Sequence, residues 1–214
     1  MPNTASYLAV AGAFNYAEAA TLRVPKDAVE GNSVEEHSRY IVNHFESMVE
    51  DRAGTLLLFS SKRQMEQVYD ELSRDMHKLI LIQGQYSNRE MVRLHKERID
   101  QGRTSVLMGL ASFAEGVDLP GDYCKHVVIA KLPFAVPDDP LHEALSEWIE
   151  ARGGNSFFDI ALPIASLRLV QACGRLLRTE KDTGTVTILD KRLITKRYGT
   201  QLLNGLPPFR REIG

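Results

Sequence analysis

The chain has 214 residues, with 26 Lys or Arg against 28 Asp or Glu, for a formal charge of −2. Its 43% hydrophobic and 25% charged content is that of an ordinary soluble globular domain, which excludes collagen, disorder and a polybasic tail. At roughly 150 residues per domain, this length makes one large domain or two small ones, and neither needs disulfides or metals to hold a core.

Residues 7–14 form a mostly apolar run followed by Ala17-Glu18-Ala19, which imitates a signal peptide and its cleavage site. The basic leader is missing, because the first Lys or Arg after Met1 is Arg23. Residues 1–32 are expected to hold an opening segment and the first strand, with a linker over 28–33. Ser33 and Glu36 make a capping box, and Val34, Ile41, Phe45 and Met48 mark the inner face of a helix ending near Asp51.

Residues 55–59 are a short continuous apolar run, and Ser60-Ser61 open a helix carrying Met65, Val68, Tyr69 and Leu72. Residues 78–82 repeat the strand signal, and Ser87 opens a helix with Met91, Leu94, His95 and Ile99 inward. Further strands are predicted over 104–108 and 126–131. A helix over 138–152 should turn Leu141, Leu145, Trp148 and Ile149 inward, and another over 163–178 starts with Pro163 in its first turn. Residues 185–189 make the last predicted strand. Buried strands alternating with helices describe one α/β domain with a mainly parallel sheet covered on both faces. Ligands in such folds meet the loops beyond the carboxyl ends of the strands: here 60–62, 83–88, 109–121 and 132–140.

Several self-sufficient chemistries are absent. There is no GxxxxGK[ST] loop to cradle phosphates, and no GxSxG, HExxH or GxGxxG. Cys124 and Cys173 are too few for a zinc or iron–sulfur site and fit a reducing cytosol. No apolar run approaches the roughly 18 residues of a membrane span, so neither a membrane partner nor a bound metal is expected. Asp138, Asp139, His142 and Glu143 imitate a metal cluster but read as a capped, acidic first turn.

Three segments carry a functional signal. Gln171, Arg175 and Arg178 at i, i+4 and i+7 would project from one helix face, as a transferring phosphoryl group requires. The same spacing also fits a solvated face with a basic last turn. In the segment 112–121, Ser112 offers a hydroxyl, Gly116 and Gly121 permit tight turns, and Glu115 and Asp118 can accept from a sugar or fix an arginine. An Asp-initiated polar loop explains it equally. Ser60, Ser61 and Lys62 offer hydroxyls, helix amides and an ammonium to a nucleic-acid phosphate, or simply cap a helix. Residues 160–214 hold ten Lys or Arg against four Asp or Glu, so the rest of the chain is near −8. A bias of that size permits a polyanion contact without demanding one.

Taken in order, residues 55–61, 112–121, 131–141 and Gln171-Ala172-Cys173-Gly174-Arg175-Leu176-Leu177-Arg178 resemble helicase motifs IV, V and VI of the DinG/XPD branch of superfamily 2. Residues 182–192, Tyr198-Gly199 and the early Ala13-Phe14-Asn15-Tyr16 extend the resemblance over about residues 12–208. Ala114, Ala13 and Lys62 depart from the Trp, Pro and aromatic common at those positions.

The resemblance implies that residues 33–214 are the second, C-terminal RecA-like domain of a helicase. The P-loop, the magnesium-binding acidic box and any iron–sulfur cluster would then belong to a first motor domain outside this chain. It further implies that Arg175 and Arg178 are arginine fingers to ATP, with Gln171 sensing the γ-phosphate. Glu115, Gly116 and Asp118 would belong to the nucleotide-coupled loop, and Ser60, Ser61, Lys62 and Ser112 would touch single-stranded DNA. Movement would run 5′ to 3′, the location would be cytoplasmic, and the chain alone would lack ATPase activity. A non-catalytic nucleotide- or protein-binding module on the same fold is the alternative, and a secreted hydrolase a further one.

Overall fold

A computed structural model describes residues 14–134 and 140–214, the side chains of 140–142 excepted. Residues 7–13, Ala13 among them, lie outside the described residues, as do 135–139 of the proline-flanked segment. So do the side chains of Asp138, Asp139, Leu141 and His142.

Seven parallel strands form one sheet: β1 (Ala20–Val24), β2 (Gly54–Phe59), β3 (Ile80–Ile82), β4 (Ser105–Leu110), β5 (His126–Ile129), β6 (Gly184–Ile188) and β7 (Arg210–Ile213). They lie in the order β3-β4-β2-β5-β6-β1-β7. The helices are α1 (Tyr16–Ala19), α2 (Val34–His44), α3 (Lys62–Glu71), α4 (Arg74–Leu79), α5 (Asn88–Asp100), α6 (Ala111–Glu115), α7 (Pro140–Glu150), α8 (Leu162–Cys173), α9 (Arg192–Thr195) and α10 (Arg197–Gly205).

The central strands read as unbroken apolar runs because both of their faces are covered. Successive side chains point to opposite faces. Leu56, Leu58, Leu107, Val127 and Val186 therefore pack with Met91 of α5, Phe113 of α6, Leu169 and Cys173 of α8, and Leu202 of α10. Leu57, Phe59, Val106, Met108 and Val128 pack with Ile41 of α2 and with Met65 and Val68 of α3. Each such buried side chain contributes about 1.5–3 kcal/mol. Helix starts follow the serines: Ser33, Ser61 and Ser87 each accept from the amide three residues on.

The structure corrects several boundaries. α2 stops at His44 and a 3₁₀ turn, Phe45–Met48, carries the chain on. Val34, the first residue after the cap, stays exposed, while His37 and Ser38 are buried. Those polar residues can be buried because Gln64 bridges them, its Nε2 lying 2.9 Å from His37 Nδ1 and 3.4 Å from Ser38 Oγ. The strand predicted over 78–82 begins only at Ile80, because the Ser73 cap starts α4 and Lys78 pairs with Asp75 within it. The linker expected over 28–33 is tied down: Ala28 is buried and Val29 forms a bridge to Asp190.

α7 does not turn its apolar face inward. Leu145 and Trp148 are exposed, and Arg152 rather than the core covers the Trp148 ring at 3.8 Å. β6 is not the last strand. β7 follows α9 and α10, and Gly199 lets those two helices meet, since a Cβ there would sit 2.0 Å from the Leu193 carbonyl.

Asp190, fully buried after β6, accepts from the amides of Gly31 (3.3 Å), Leu132 (3.1 Å) and Arg192 (3.1 Å), and pairs with the Arg192 guanidinium at 2.6 Å. Burial pushes its pKa up, but the Arg192 side chain and the backbone donors outweigh burial and hold it below the usual carboxylate value. Asp190→Ala strands a buried guanidinium, so urea unfolding should show a loss of about 3–5 kcal/mol. In the wild type the stabilisation from Asp190 is complete above the unfolded pKa of about 3.9 and is lost as pH falls through the lower folded value.

Candidate functional site

A cavity of about 230 Å³ opens beyond the carboxyl ends of β2, β4 and β5. Ser60 reaches it from the end of β2, Ser112 and Glu115 from α6, Pro133 and Phe134 from beyond β5, and Arg168 and Gln171 from α8. Phe134 is braced from behind by Phe157 and Tyr198, with ring centroids 5.5 Å from its own in each case.

Ser61 and Lys62 do not line this cavity. Ser61 caps α3 by accepting from the Gln64 amide at 3.4 Å, which leaves its O–H free to donate. Lys62 is exposed and lies 3.6 Å from Glu66.

A second cluster forms where α6 runs into the chain toward β5. Arg178 Nη2 donates to the Val117 carbonyl at 3.1 Å, and Arg175 Nη1 to the same oxygen at 3.4 Å. Arg178 Nε lies 3.5 Å from the Asp118 carboxylate, which is largely solvent-facing. Burial pushes the Arg175 pKa below its ordinary value and the neighbouring Arg178 charge adds to this, while Glu115 and Asp118 oppose it. The group stays cationic, since arginine starts from so high a pKa. Gly116 ends α6 with an ordinary negative φ, and nothing crowds the side where a Cβ would stand. Gly121 makes the tight turn, at φ +64°.

The arginines reach this position by a route other than the expected one. α8 ends at Cys173, so Gln171, Arg175 and Arg178 do not share one helical face. Leu176 and Leu177 are buried, and bringing both inward requires the chain to turn after Gly174. That turn sends Arg175 and Arg178 to Val117 and leaves Gln171 on the cavity with Ser60 and Ser112.

Asp182 fixes the turn. Its carboxylate accepts from the amides of Arg178 (2.7 Å) and Thr179 (2.8 Å), from the Thr179 hydroxyl (2.7 Å), and from the Gly121 amide (3.1 Å). Burial raises its pKa, yet these donors outweigh burial and hold it below the usual carboxylate value. Sequence reasoning assigned no role to Asp182 or Arg168. The Thr179-x-x-Asp182 turn spacing pointed to the first, and the position of Arg168 three residues before Gln171 pointed to the second. Among the described residues no group of three or more His, Cys, Asp or Glu side chains gathers as a metal site, and no helix is long and apolar enough to cross a membrane.

The parallel sheet, with its polar loops at the carboxyl ends and its arginine turn after α8, defines a RecA-like domain. The family model described as "Helicase C-terminal domain" matches residues 45–209, and the chain belongs to that family. An ATP-dependent DNA helicase DinG from Photobacterium profundum is 42% identical to it over 97% of this chain and 30% of its own length. The protein of the same name from Escherichia coli K12 is 38% identical over 95% of this chain and 29% of its own length. The chain thus spans about 30% of the length of these curated relatives. Among solved structures, an XPD helicase covers 92% of the chain, with 36% of its own length matched, at TM-score 0.64 and 19% identity. The C-terminal domain of the DEAD-box protein Dbp5 covers 91% of the chain and 91% of its own length at TM-score 0.50 and 13% identity. At these identities the structures share the fold with this chain.

Asp182→Ala should free the arginine turn while leaving the sheet intact. Hydrogen exchange at the amides of Arg178, Thr179 and Gly121 is expected to accelerate, with about 1.5–3 kcal/mol of local protection lost for each bond to the charged acceptor. In the wild type the same protection should fade as pH falls through the depressed folded pKa of Asp182, having been complete above about 3.9.

Proposed function

We propose that the chain is the C-terminal motor domain of a DinG-type ATP-dependent DNA helicase, working with a first RecA-like domain of the same protein. The observation that carries this reading is the convergence of Arg175 and Arg178 on the Val117 carbonyl. A guanidinium has five N–H donors, and here each spends only one on that neutral oxygen. Both keep donors for an anion, and hydrogen bonds to a charged oxygen are roughly twice as strong as those to a neutral one. A γ-phosphoryl group delivered by the first domain would therefore draw both arginines off Val117. Charge growing on its equatorial oxygens in the transition state strengthens that hold.

Magnesium accompanies ATP and neutralises its phosphates. Its ligands are assigned to the first domain, as is any iron–sulfur cluster. Within this chain, Arg175 and Arg178 stabilise the transferring group, and Asp118 steers Arg178 from 3.5 Å. Glu115 lies in both environments, since it lines the cavity and its charge acts on Arg175. The stretch Glu115-Gly116-Val117-Asp118 thereby links nucleotide to DNA. Ser60, Ser61, Lys62 and Ser112 are assigned to the backbone of a single strand, which such donors track without reading sequence. A 5′ to 3′ direction and a cytoplasmic location follow from the resemblance to the DinG/XPD branch.

Arg178→Ala in the full-length helicase should lower ATP turnover on the order of a thousandfold and abolish unwinding, with an unchanged far-UV circular dichroism spectrum. Near-normal turnover would defeat the finger assignment and favour a non-catalytic module. The 214-residue chain by itself is expected to release no phosphate from ATP, and sustained release in a coupled assay would defeat the two-domain reading.

A further inference from the structure

We infer that Leu167, on the outward face of α8, is an apolar contact for the first motor domain that forms only when the two domains close over nucleotide. This deepens the proposed function and rests on it, with Gln171, Arg175 and Arg178 as the groups that meet a nucleotide held by that domain.

α8 turns Leu162, Ala165, Leu169, Ala172 and Cys173 into the core. That leaves Pro163, Leu167 and Gln171 as an exposed row at i, i+4 and i+8 on the opposite side. Leu167 is 60% exposed, more than any other large apolar side chain among the described residues. Glu or Lys would suit the helix as well there, so local structure does not call for a leucine. Single exposed leucines are common on protein surfaces, and what gives this one a partner is its neighbour. Residues four apart on a helix lie roughly 5–6 Å from each other. A first domain that brings its γ-phosphate within hydrogen-bond reach of Gln171 therefore arrives over Leu167 as well.

Other occupants fit this row less well. Pro163 and Leu167 carry no side-chain donor for a nucleic-acid phosphate. A second copy packed two-fold on the row would set its Arg168, Arg175 and Arg178 against the same cations of this chain. A separate protein needs on the order of 1,200 Å² of buried surface, far beyond one leucine and one proline. A domain tethered in the same polypeptide has a high effective concentration, so a contact this small suffices to shift an equilibrium between open and closed forms.

The test uses the full-length helicase with one fluorophore on each motor domain and follows energy transfer as a non-hydrolysable ATP analogue is added. Closing over Leu167 removes apolar surface from water, so Leu167→Ala should raise the analogue concentration at half-closure about three- to tenfold. In turnover the same variant should raise KM for ATP by a like factor and keep kcat, because saturating nucleotide restores the closed form. Loss of a finger lowers kcat instead. Leu167→Met keeps the apolar contact and should close as the wild type does. Leu167→Asp should exceed the alanine effect, and Leu167→Gln, suited to an exposed helix position, serves if the aspartate variant folds poorly. Single-strand affinity without nucleotide should be the same in all of them. Wild-type closure in both Leu167→Ala and Leu167→Gln would overturn the inference. So would weaker single-strand binding at unchanged closure, which sets Leu167 against DNA, or a dimer of the helicase that Leu167→Asp dissociates. If the unaltered helicase shows no change in energy transfer with the analogue, the proposed function fails. A wild type that closes, with variants that close equally well, defeats this inference alone.

Discussion

Two guanidinium groups share one neutral acceptor, the carbonyl oxygen of Val117. Two cations brought to one oxygen repel each other, and at partial burial that repulsion is only weakly screened. Asp118 on one side and Glu115 on the other offset it, without forming a closed bidentate pair with either arginine. The two guanidiniums are therefore partly neutralised but keep unused donors. An anion binding there gains both the unused donors and relief of the cation–cation repulsion, whereas a neutral ligand gains neither.

β6 sets how this cluster lies relative to the cavity. A buried carboxylate stands just beyond each end of the strand, Asp182 before it and Asp190 after it. Asp182 gathers amides from the arginine turn and from Gly121, while Asp190 gathers the amide of Leu132, next to the Pro133-Phe134 wall, along with Gly31 and Arg192. A carboxylate can accept several N–H bonds at once, so each organises loops from different parts of the chain around one point. Both points are fixed by one strand, which lies between β5 and β1 in the sheet and cannot shift without breaking two ladders. The arginine turn and the cavity wall are accordingly referenced to the same rigid element.

The elements that were legible in the sequence are those decided by local chemistry. Short apolar runs bounded by turn residues, such as Leu56-Leu57-Leu58-Phe59, read as central strands, and Ser33, Ser61 and Ser87 cap the helices that follow them. What the pattern could not give depends on distant contacts. α8 continues in periodicity to Arg178, but burial of Leu176 and Leu177 ends it at Cys173. The apolar stripe of α7 is present, yet the fold provides it no core to enter, so Leu145 and Trp148 remain exposed. β7 has the charged sequence Arg210-Arg211-Glu212 and no apolar signal. It exists because β1 offers a free edge and Arg23 pairs with Glu212 at 3.0 Å. The motif resemblance names Arg175, Arg178, Ser60 and Ser112, and gives no role to Asp182, which opens its 182–192 segment, or to Arg168.

A short path of chain joins the two clusters. Ser112 and Glu115 line the cavity, while Val117 and Asp118, only two and three residues beyond Glu115, hold the arginines. α6 is a five-residue helix, little more than one turn, and Gly116 follows it with open space on its Cβ side. A helix that short has few internal hydrogen bonds to resist displacement. Releasing the guanidiniums from Val117 removes two of the contacts that fix its carboxyl end, and the nearest side chains to feel that release are those of Glu115 and Ser112. A displacement at the arginine cluster can thus reach the cavity through a single turn of helix, with no need to deform the sheet. Gln171 and Arg168 stay on the rigid part of α8, so the cavity has a fixed wall on one side and a movable one on the other.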